Sequence, residues 1–273
     1  MVEDRMLVWG GFTATHDETD AMMARDGALY DPESDTWEPI ADAPEARDLA
    51  RAAIVGDHVV FGGGDFLVYS LAEDAWHTVE IPEPTGEQRA YTVYDVAVHG
   101  DGVVAVAGTG PFGEELATLA FEPGEHDGAA FRPLPELDGG EERADAVGLA
   151  ATPEGTALLT VRTGDTTRLY RIDGHGQARP VDTADSAFFL PAVRTHTGGL
   201  LSGDTHAVDG LGLVATRPGT VSLWDHGAER SLSQRWGALD GYCGPLVPAG
   251  GGRLLGWGGL GCEDEGISLT VDP

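Results

Sequence analysis

The chain has no lysine. All 16 of its basic residues are arginine, set against 46 aspartates and glutamates, for a formal net charge of −30 over 273 residues. Binding to phosphate backbones draws on basic patches and counterion release, so nucleic acid is not an expected partner, and an anionic membrane surface is disfavoured for the same reason. The acidity reads as a solvated skin suited to a salty or high-GC source, or as a field that attracts cations or a basic partner. No apolar run is long enough to span a bilayer, and no basic-then-apolar leader opens the sequence. A soluble chain without an export signal of its own is expected. Cysteine is scarce, with two residues in all. Nothing resembles a Ser nucleophile elbow, a phosphate loop or an EF-hand.

Glycine, in contrast, is plentiful at 40 residues. That is about twice its usual share, and turn-rich all-β architecture is the expected cause. Residues 50–79 show the pattern most clearly. Four short runs, Arg51–Val55, His58–Phe61, Phe66–Leu71 and Ala75–Val79, are rich in Val, Ile, Phe and Tyr. Between them stand a Gly56-Asp57 turn, a Gly62-Gly63-Gly64 break and an Ala72-Glu73-Asp74 turn, which supply the positive φ that tight connections need. Four antiparallel strands of this size bury too little apolar surface to stand alone. The unit must stack on copies of itself.

A second copy precedes it. Met6-Leu7-Val8-Trp9-Gly10-Gly11 aligns with His58–Gly63, and Gly27–Trp37 aligns with Phe66–Trp76. In both copies a Tyr on the third strand leads a Trp on the fourth, Tyr30 with Trp37 and Tyr69 with Trp76. A double glycine closing one strand, followed by Tyr and Trp at this spacing, resembles the kelch repeat of β-propellers, including the central domain of galactose oxidase. The Ala43-Pro44-Glu45-Ala46-Arg47 entry into the next unit is similar to the Pro/Arg approach of that family.

Later units keep the rhythm with weaker signatures. A third is expected over Val93–Leu134 and a fourth over Ala146–Val181. The fifth opens with Phe188–Arg194 and Gly199–Ser202, takes a long insertion, Gly203–Gly219, and ends with Thr220–Asp225 and Arg230–Gln234. The sixth runs from Pro245 to Val271, where Leu254–Gly259 echoes Met6–Gly11. Third-strand markers at Tyr30, Tyr69, Phe121, Tyr170, Trp224 and Thr270 lie near the ~40–50 residues expected of a propeller blade. The resemblance implies an all-β, kelch-like β-propeller. It would be a single domain over residues 1–273, with about six four-stranded antiparallel blades and incomplete terminal blades. The first unit lacks its opening strand and the sixth its last. That favours a piece of a longer reading frame, whose upstream part could hold a signal peptide.

In that family, strand-two to strand-three loops and inter-blade segments share one face. Here the face would hold Phe12–Asp26, Asp65, Thr109–Glu115, Gly164–Thr166, Asp204–Pro218 and Leu260–Glu265. Two long insertions, His16–Arg25 and Asp204–Arg217, are the most informative of these, because loops of such length in compact folds are often functional. His16, Asp17, Glu18 and Asp20 cluster on one, and His206 and Asp209 sit on the other. His beside carboxylates suits a divalent metal or acid–base chemistry, yet the spacing matches no metal motif. Arg25, Arg47, Arg194 and Arg217 could grip an anionic ligand or pair with neighbouring acids. Trp9, Trp37, Trp76 and Trp257 recur at equivalent places and are expected to pack between blades.

The family's copper radical oxidase needs two Tyr, two His and a Cys–Tyr crosslink. Tyr242-Cys243 stands without a His pair, so that site does not carry over, and Ser34-Asp35-Thr36-Trp37 lacks the glycine of a sialidase Asp box. Cys243 precedes the first strand of unit six and Cys262 follows the second. A hairpin turning at Gly250-Gly251-Gly252 sets them opposite one another, a disulfide after export and two thiols in a reducing compartment. The expected role is a non-catalytic monomer that binds a protein or a glycan through the loop face, with no cofactor. The alternative is a carbohydrate-active or metal-dependent enzyme on the same face.

Overall fold

The computed structural model describes residues 5–13, 22–47, 50–81, 91–109, 116–123, 130–134, 144, 146–151, 155–163, 166–181, 193–194, 200–201, 204–208, 212–217, 220–225, 230–235, 246–248, 252–257 and 266–270. Among them there is no helix; every regular element is a strand. In chain order these are β1 (Met6–Trp9), β2 (Phe12–Thr13), β3 (Met22–Met23), β4 (Gly27–Asp31), β5 (Thr36–Pro39), β6 (Ala52–Val55), β7 (His58–Phe61), β8 (Phe66–Ser70) and β9 (Ala75–Val79). Next come β10 (Tyr91–His99), β11 (Gly102–Thr109), β12 (Leu116–Phe121), β13 (Ala130–Pro133), β14 (Ala146–Ala151), β15 (Ala157–Thr163), β16 (Thr166–Ile172) and β17 (Ala178–Val181). The remainder are β18 (Val193–Arg194), β19 (Leu200–Leu201), β20 (Asp204–Val208), β21 (Gly212–Arg217), β22 (Thr220–Asp225), β23 (Arg230–Arg235), β24 (Leu246–Pro248), β25 (Arg253–Trp257) and β26 (Gly266–Thr270).

These strands form six antiparallel meanders. The first sheet is β1-β4-β5, the second β6 to β9, the third β10 to β13, the fourth β14 to β17, the fifth β20 to β23 and the sixth β24 to β26. Two short pairs stand apart, β2 with β3 and β18 with β19. The expected Tyr-to-Trp spacing becomes cross-strand pairing, with Tyr30 opposite Trp37 and Tyr69 opposite Trp76. Tight turns close the meanders as the glycines require: Gly56, Gly100 and Gly252 all hold φ near +60° to +75°.

The first sheets stack face to face, and the sequence dictates it by alternation. On β11, Val103, Ala105 and Ala107 join a core with Val60, Phe66, Val68 and Val79 of the second sheet. Val104 and Val106 point the other way, into a core with Leu149, Leu159, Tyr170 and Ile172 of the fourth. β8 does the same, with Phe66 and Val68 facing the third sheet while Leu67 and Tyr69 pack with Leu29 and Ile40 of the first. A strand covered on both faces is apolar at nearly every position, which is why β8 is apolar from Phe66 to Tyr69 and β11 from Val103 to Ala107. Each Val or Leu so buried stabilises the stack by about 1.5–3 kcal/mol before entropy is counted. The opening strands also meet in succession: β6 packs on β10, β10 on β14, β14 on β20 and β20 on β24.

Two glycines hold this stacking open. A Cβ on Gly62 would lie 2.6 Å from Val93 Cγ1 of the third sheet, and one on Gly10 would lie 2.5 Å from the Arg47 carbonyl oxygen. Gly10 also takes φ +73°, where side chains are strained in any case.

One expectation is corrected. Asp204–Arg217 is not a long loop. Its Thr205, Val208, Val214 and Thr216 are β-branched, and it forms the antiparallel pair β20–β21, with His206 opposite Val214. That pair opens the fifth sheet, whose closing strands are β22 and β23. The strands expected to open this unit instead appear as the separate pair β18–β19. The other insertion is a loop only in part, because Phe12 pairs with Met23 and Thr13 with Met22 at its base.

Candidate functional site

At the glycine ends of the first two sheets, three connections converge on Arg47. Its carbonyl accepts the Gly11 amide at 2.9 Å, while its guanidinium reaches across to the second sheet. There Nη1 donates to the Asp65 carbonyl at 2.6 Å and the Gly62 carbonyl at 3.3 Å. Nε and Nη2 both donate to Glu45, and the side chain is buried. Arg47 thus ties the connection leaving β1, the segment between the sheets and the β7–β8 loop into one layer. The planar five-donor fork suits this role, because carbonyls and a carboxylate on different sides are satisfied together.

Beside it, the Arg25 carbonyl accepts the Trp9 indole N–H at 3.0 Å and the Ala43 amide at 3.0 Å. The Arg25 side chain stays exposed, as does Met23 at the base of the β2–β3 hairpin. The Asp65 carboxylate receives the Ile81 amide at 3.0 Å and so pins the exit of β9 to the same end.

The opposite, turn end of the sheets carries a constellation that the Tyr/Trp spacing only half revealed. Tyr69 donates its hydroxyl to Asp74 Oδ1 at 2.7 Å, and its ring lies 5.0 Å from that of Trp76. Asp74 Oδ1 also accepts the Ala41 amide at 2.8 Å, and Trp76 Nε1 donates to the Ala41 carbonyl at 2.7 Å. Both polar groups of one residue leaving the first sheet are therefore held by side chains of the second. The Ala41 amide, then Tyr69, lower the Asp74 carboxyl below its ordinary range. Burial, then the Asp74 hydrogen bond and charge, push the Tyr69 phenol well up.

Tyr30, Asp35 and Trp37 repeat the trio in the first sheet, with Tyr30 donating to Asp35 at 2.9 Å and its ring 4.8 Å from Trp37. Asp35 and Asp74 share a left-handed backbone, at φ 53° and 47°. The shared pattern, Tyr with Asp five residues on and Trp two beyond, was legible in the sequence as a stronger signal than Tyr and Trp alone.

Turns of later sheets also lean back on the sheet before. Pro123, after β12, meets His77 of β9 through its carbonyl at 3.3 Å. The turn after β16 places the Gly176 carbonyl on the Thr118 hydroxyl of β12. In that turn burial opposes ionisation of Asp173, but the amides of Gln177 and His175 outweigh it and hold the carboxyl below its ordinary range. Between the opening strands, Asp95 accepts the Leu149 amide at 2.7 Å.

Of the residues expected on a binding face, His16, Asp17, Glu18, Asp20 and Asp209 lie outside the described residues, as do Cys243 and Cys262. The structure brings Arg25 and Arg47 to one end, and the Arg47 donors are engaged as described. Arg194 falls on β18, His206 on β20 rather than a loop, and Arg217 at the end of β21; their side chains lie outside the described part. Trp9 and Trp76 pack together at 4.9 Å, with Phe61 4.7 Å from Trp9, as the inter-unit reading expects. Trp37 departs from it at 41% exposure, and the Trp257 side chain lies outside the described part. Among the described residues no three of His, Cys, Asp and Glu gather at metal-binding distance. No protein-family model and no curated protein matches the sequence.

Proposed function

We propose that this chain is a kelch-like β-propeller of six units that binds a protein or a glycan, without catalysis, on the face formed by its glycine-end connections. The observation that carries the reading is the succession of opening strands, β6 on β10 on β14 on β20 on β24, which a wheel of radial sheets requires around its axis. Turns of the second, third and fourth sheets each reach back to the sheet before, as neighbouring blades of such a wheel do. In such a wheel the glycine ends gather on one side, with Arg47 as a floor and the β2–β3 pair beside it.

Two measurements test this. A compact wheel of this length has a radius of gyration of about 18–19 Å in solution scattering, whereas a markedly larger value means an open row of sheets. A glycan array and a panel of purified extracellular-type protein domains are then probed with the chain and with a variant whose 14–21 segment is replaced by Gly-Ser. Specific binding that the replacement abolishes supports the face; binding unchanged by it removes the hairpin from the site.

A further inference from the structure

The charge of this chain is unevenly spread. Residues 157–181, which run from β15 to β17 of the fourth sheet, hold four arginines against two aspartates and no glutamate, a balance of +2. With −30 on the whole, the other residues carry −32. Two of those arginines, Arg171 on β16 and Arg179 on β17, stand directly opposite one another in the register, and both are exposed. Opposed residues of an antiparallel pair project from one face with Cβ atoms about 4.5–5.5 Å apart, and like charges so placed weaken the pairing. The fold does not ask for them. The same register step, one beyond the tyrosine, is Asp31 with Thr36 in the first sheet and Ser70 with Ala75 in the second. Protection of an exposed sheet edge accounts for Arg179 beside Pro180 on β17, but not for Arg171 on the strand inside it.

The acid at hand does not neutralise the pair. Asp173 Oδ2 stands 4.0 Å from Arg179 Nη2, while Oδ1 accepts the amides of His175 and Gln177 at 3.0 Å each. That carboxylate serves the turn. The Asp173 amide donates to the Gln177 carbonyl at 3.0 Å, the Gly176 amide to the Asp173 carbonyl at 2.8 Å, and the Gly176 carbonyl accepts the Thr118 hydroxyl of the third sheet. A turn clamped in this way fixes the two strands from which the arginines rise, so their spacing is set before any ligand arrives. Two guanidinium forks one strand apart match the two charges and paired oxygens of a tetrahedral dianion, whereas a carboxylate brings one charge and leaves one fork unmatched. The −32 on the rest of the chain is screened beyond about 10 Å at 0.1 M salt, while the forks act at contact. We propose that Arg171 and Arg179 form a binding site for a doubly charged phosphate group, free or as a monoester, at the turn end of the fourth sheet. It lies at the opposite end of the sheets from the glycine-end face and does not depend on that face.

Phenyl phosphate, inorganic phosphate and methyl sulfate are titrated into the whole chain at about 0.1 M KCl and about pH 7.5, where a phosphate monoester carries both charges. Binding is read by shifts in two-dimensional amide NMR. Half-saturation by a phosphate is expected at or below about 1 mM, and methyl sulfate, with tetrahedral oxygens but one charge, should bind about tenfold more weakly. Arg171→Gln and Arg179→Gln should each weaken phosphate binding about tenfold, the size of one hydrogen bond to a charged group. Arg171→Lys, which keeps the charge and loses the fork, should also weaken it. Arg253→Gln, an equal loss of charge on β25, should leave it unchanged. Arg171→Gln relieves opposed like charges and should not lower the urea midpoint, so its loss of binding is not a loss of fold. Phenyl phosphate binding more tightly than inorganic phosphate supports the site and assigns it an ester; the reverse order supports it and assigns the free ion. No saturable shift at about 10 mM of either phosphate overturns the proposal. So does Arg253→Gln weakening binding as much as Arg171→Gln, or methyl sulfate matching the phosphates, since each leaves only general attraction between charges.

Discussion

Removing the carboxylate of Asp74 is the sharpest test of how the first two sheets are joined. The group accepts two hydrogen bonds, from Ala41 across the junction and from Tyr69 within its own sheet. A hydrogen bond to a charged group contributes about 1.5–3 kcal/mol where buried, and less at a solvent-facing position such as this one. A left-handed non-glycine residue adds about 1–2 kcal/mol of strain that aspartate tolerates better than alanine does. Asp74→Ala should therefore cost about 3 kcal/mol and Asp74→Gly, which relieves the backbone, about 2 kcal/mol. Asp74→Asn, which keeps an acceptor, should cost about 1 kcal/mol. Urea midpoints at constant slope give these values directly. Tyr69→Phe combined with Asp74→Gly should be less than additive, because the two share one bond.

The pH dependence has a definite sign. The Asp74 pKa is lowered in the folded chain, so its contribution is fully present above the ordinary aspartate value near ~3.9. It fades as pH falls through the lower folded value. The gap between the native chain and Asp74→Gly should be full at pH 7 and close below about pH 4. If Asp74→Gly matches the native midpoint at pH 7, the clasp on Ala41 contributes nothing and the reasoning fails.

Three further outcomes follow from the same geometry. Gly62→Ala places a methyl 2.6 Å from Val93 and should destabilise by about 1–3 kcal/mol, with Val93→Ala recovering part of the loss; a neutral Gly62→Ala would mean the second and third sheets are not in that contact. Arg47→Lys cannot serve Glu45, Gly62 and Asp65 at once and should cost about 2 kcal/mol in thermal or urea unfolding, against no change if the junction is not formed in solution. Raising KCl from 0.05 to 1 M shortens the Debye length from about 14 Å to about 3 Å and should raise the urea midpoint, since a net charge of −30 repels itself; a falling midpoint would show that attractive pairs dominate.

What the sequence made legible is what local chemistry fixes. The continuous apolar runs in Phe66–Ser70 and Gly102–Thr109 mark strands covered on both faces, and Gly-Asp and Gly-Gly mark where the chain bends. The fifth unit is hard to see in the sequence because its opening pair has none of the marker residues. Asp204–Val208 and Gly212–Arg217 carry no double glycine and no Tyr or Trp, so the stretch resembles a loop, although Asp209-Gly210 is itself a hairpin signal. The β-branched residues of that segment and its pairing with Thr220–Asp225 act together to make it part of the fifth sheet.

The residues that join the units were visible as types but not as roles, for a reason the geometry makes plain. Arg47 reads from sequence as a cation that grips an anionic ligand or pairs with neighbouring acids, and Asp74 as a turn former. Each acts on main-chain groups of a neighbouring unit: Arg47 on the carbonyls of Gly62 and Asp65, Asp74 on the amide of Ala41. Main-chain groups are present at every residue, so a contact with them leaves no complementary residue to find along the chain. Only repetition betrays it. Tyr, Asp and Trp recur at the same spacing in the first two sheets, as Tyr30, Asp35 and Trp37 and as Tyr69, Asp74 and Trp76, and the tyrosine donates to the aspartate in both. That recurrence is the mark along the chain that sets Asp74 apart from an ordinary turn residue, and the Ala41 amide on its carboxylate is what the mark stands for in the second sheet.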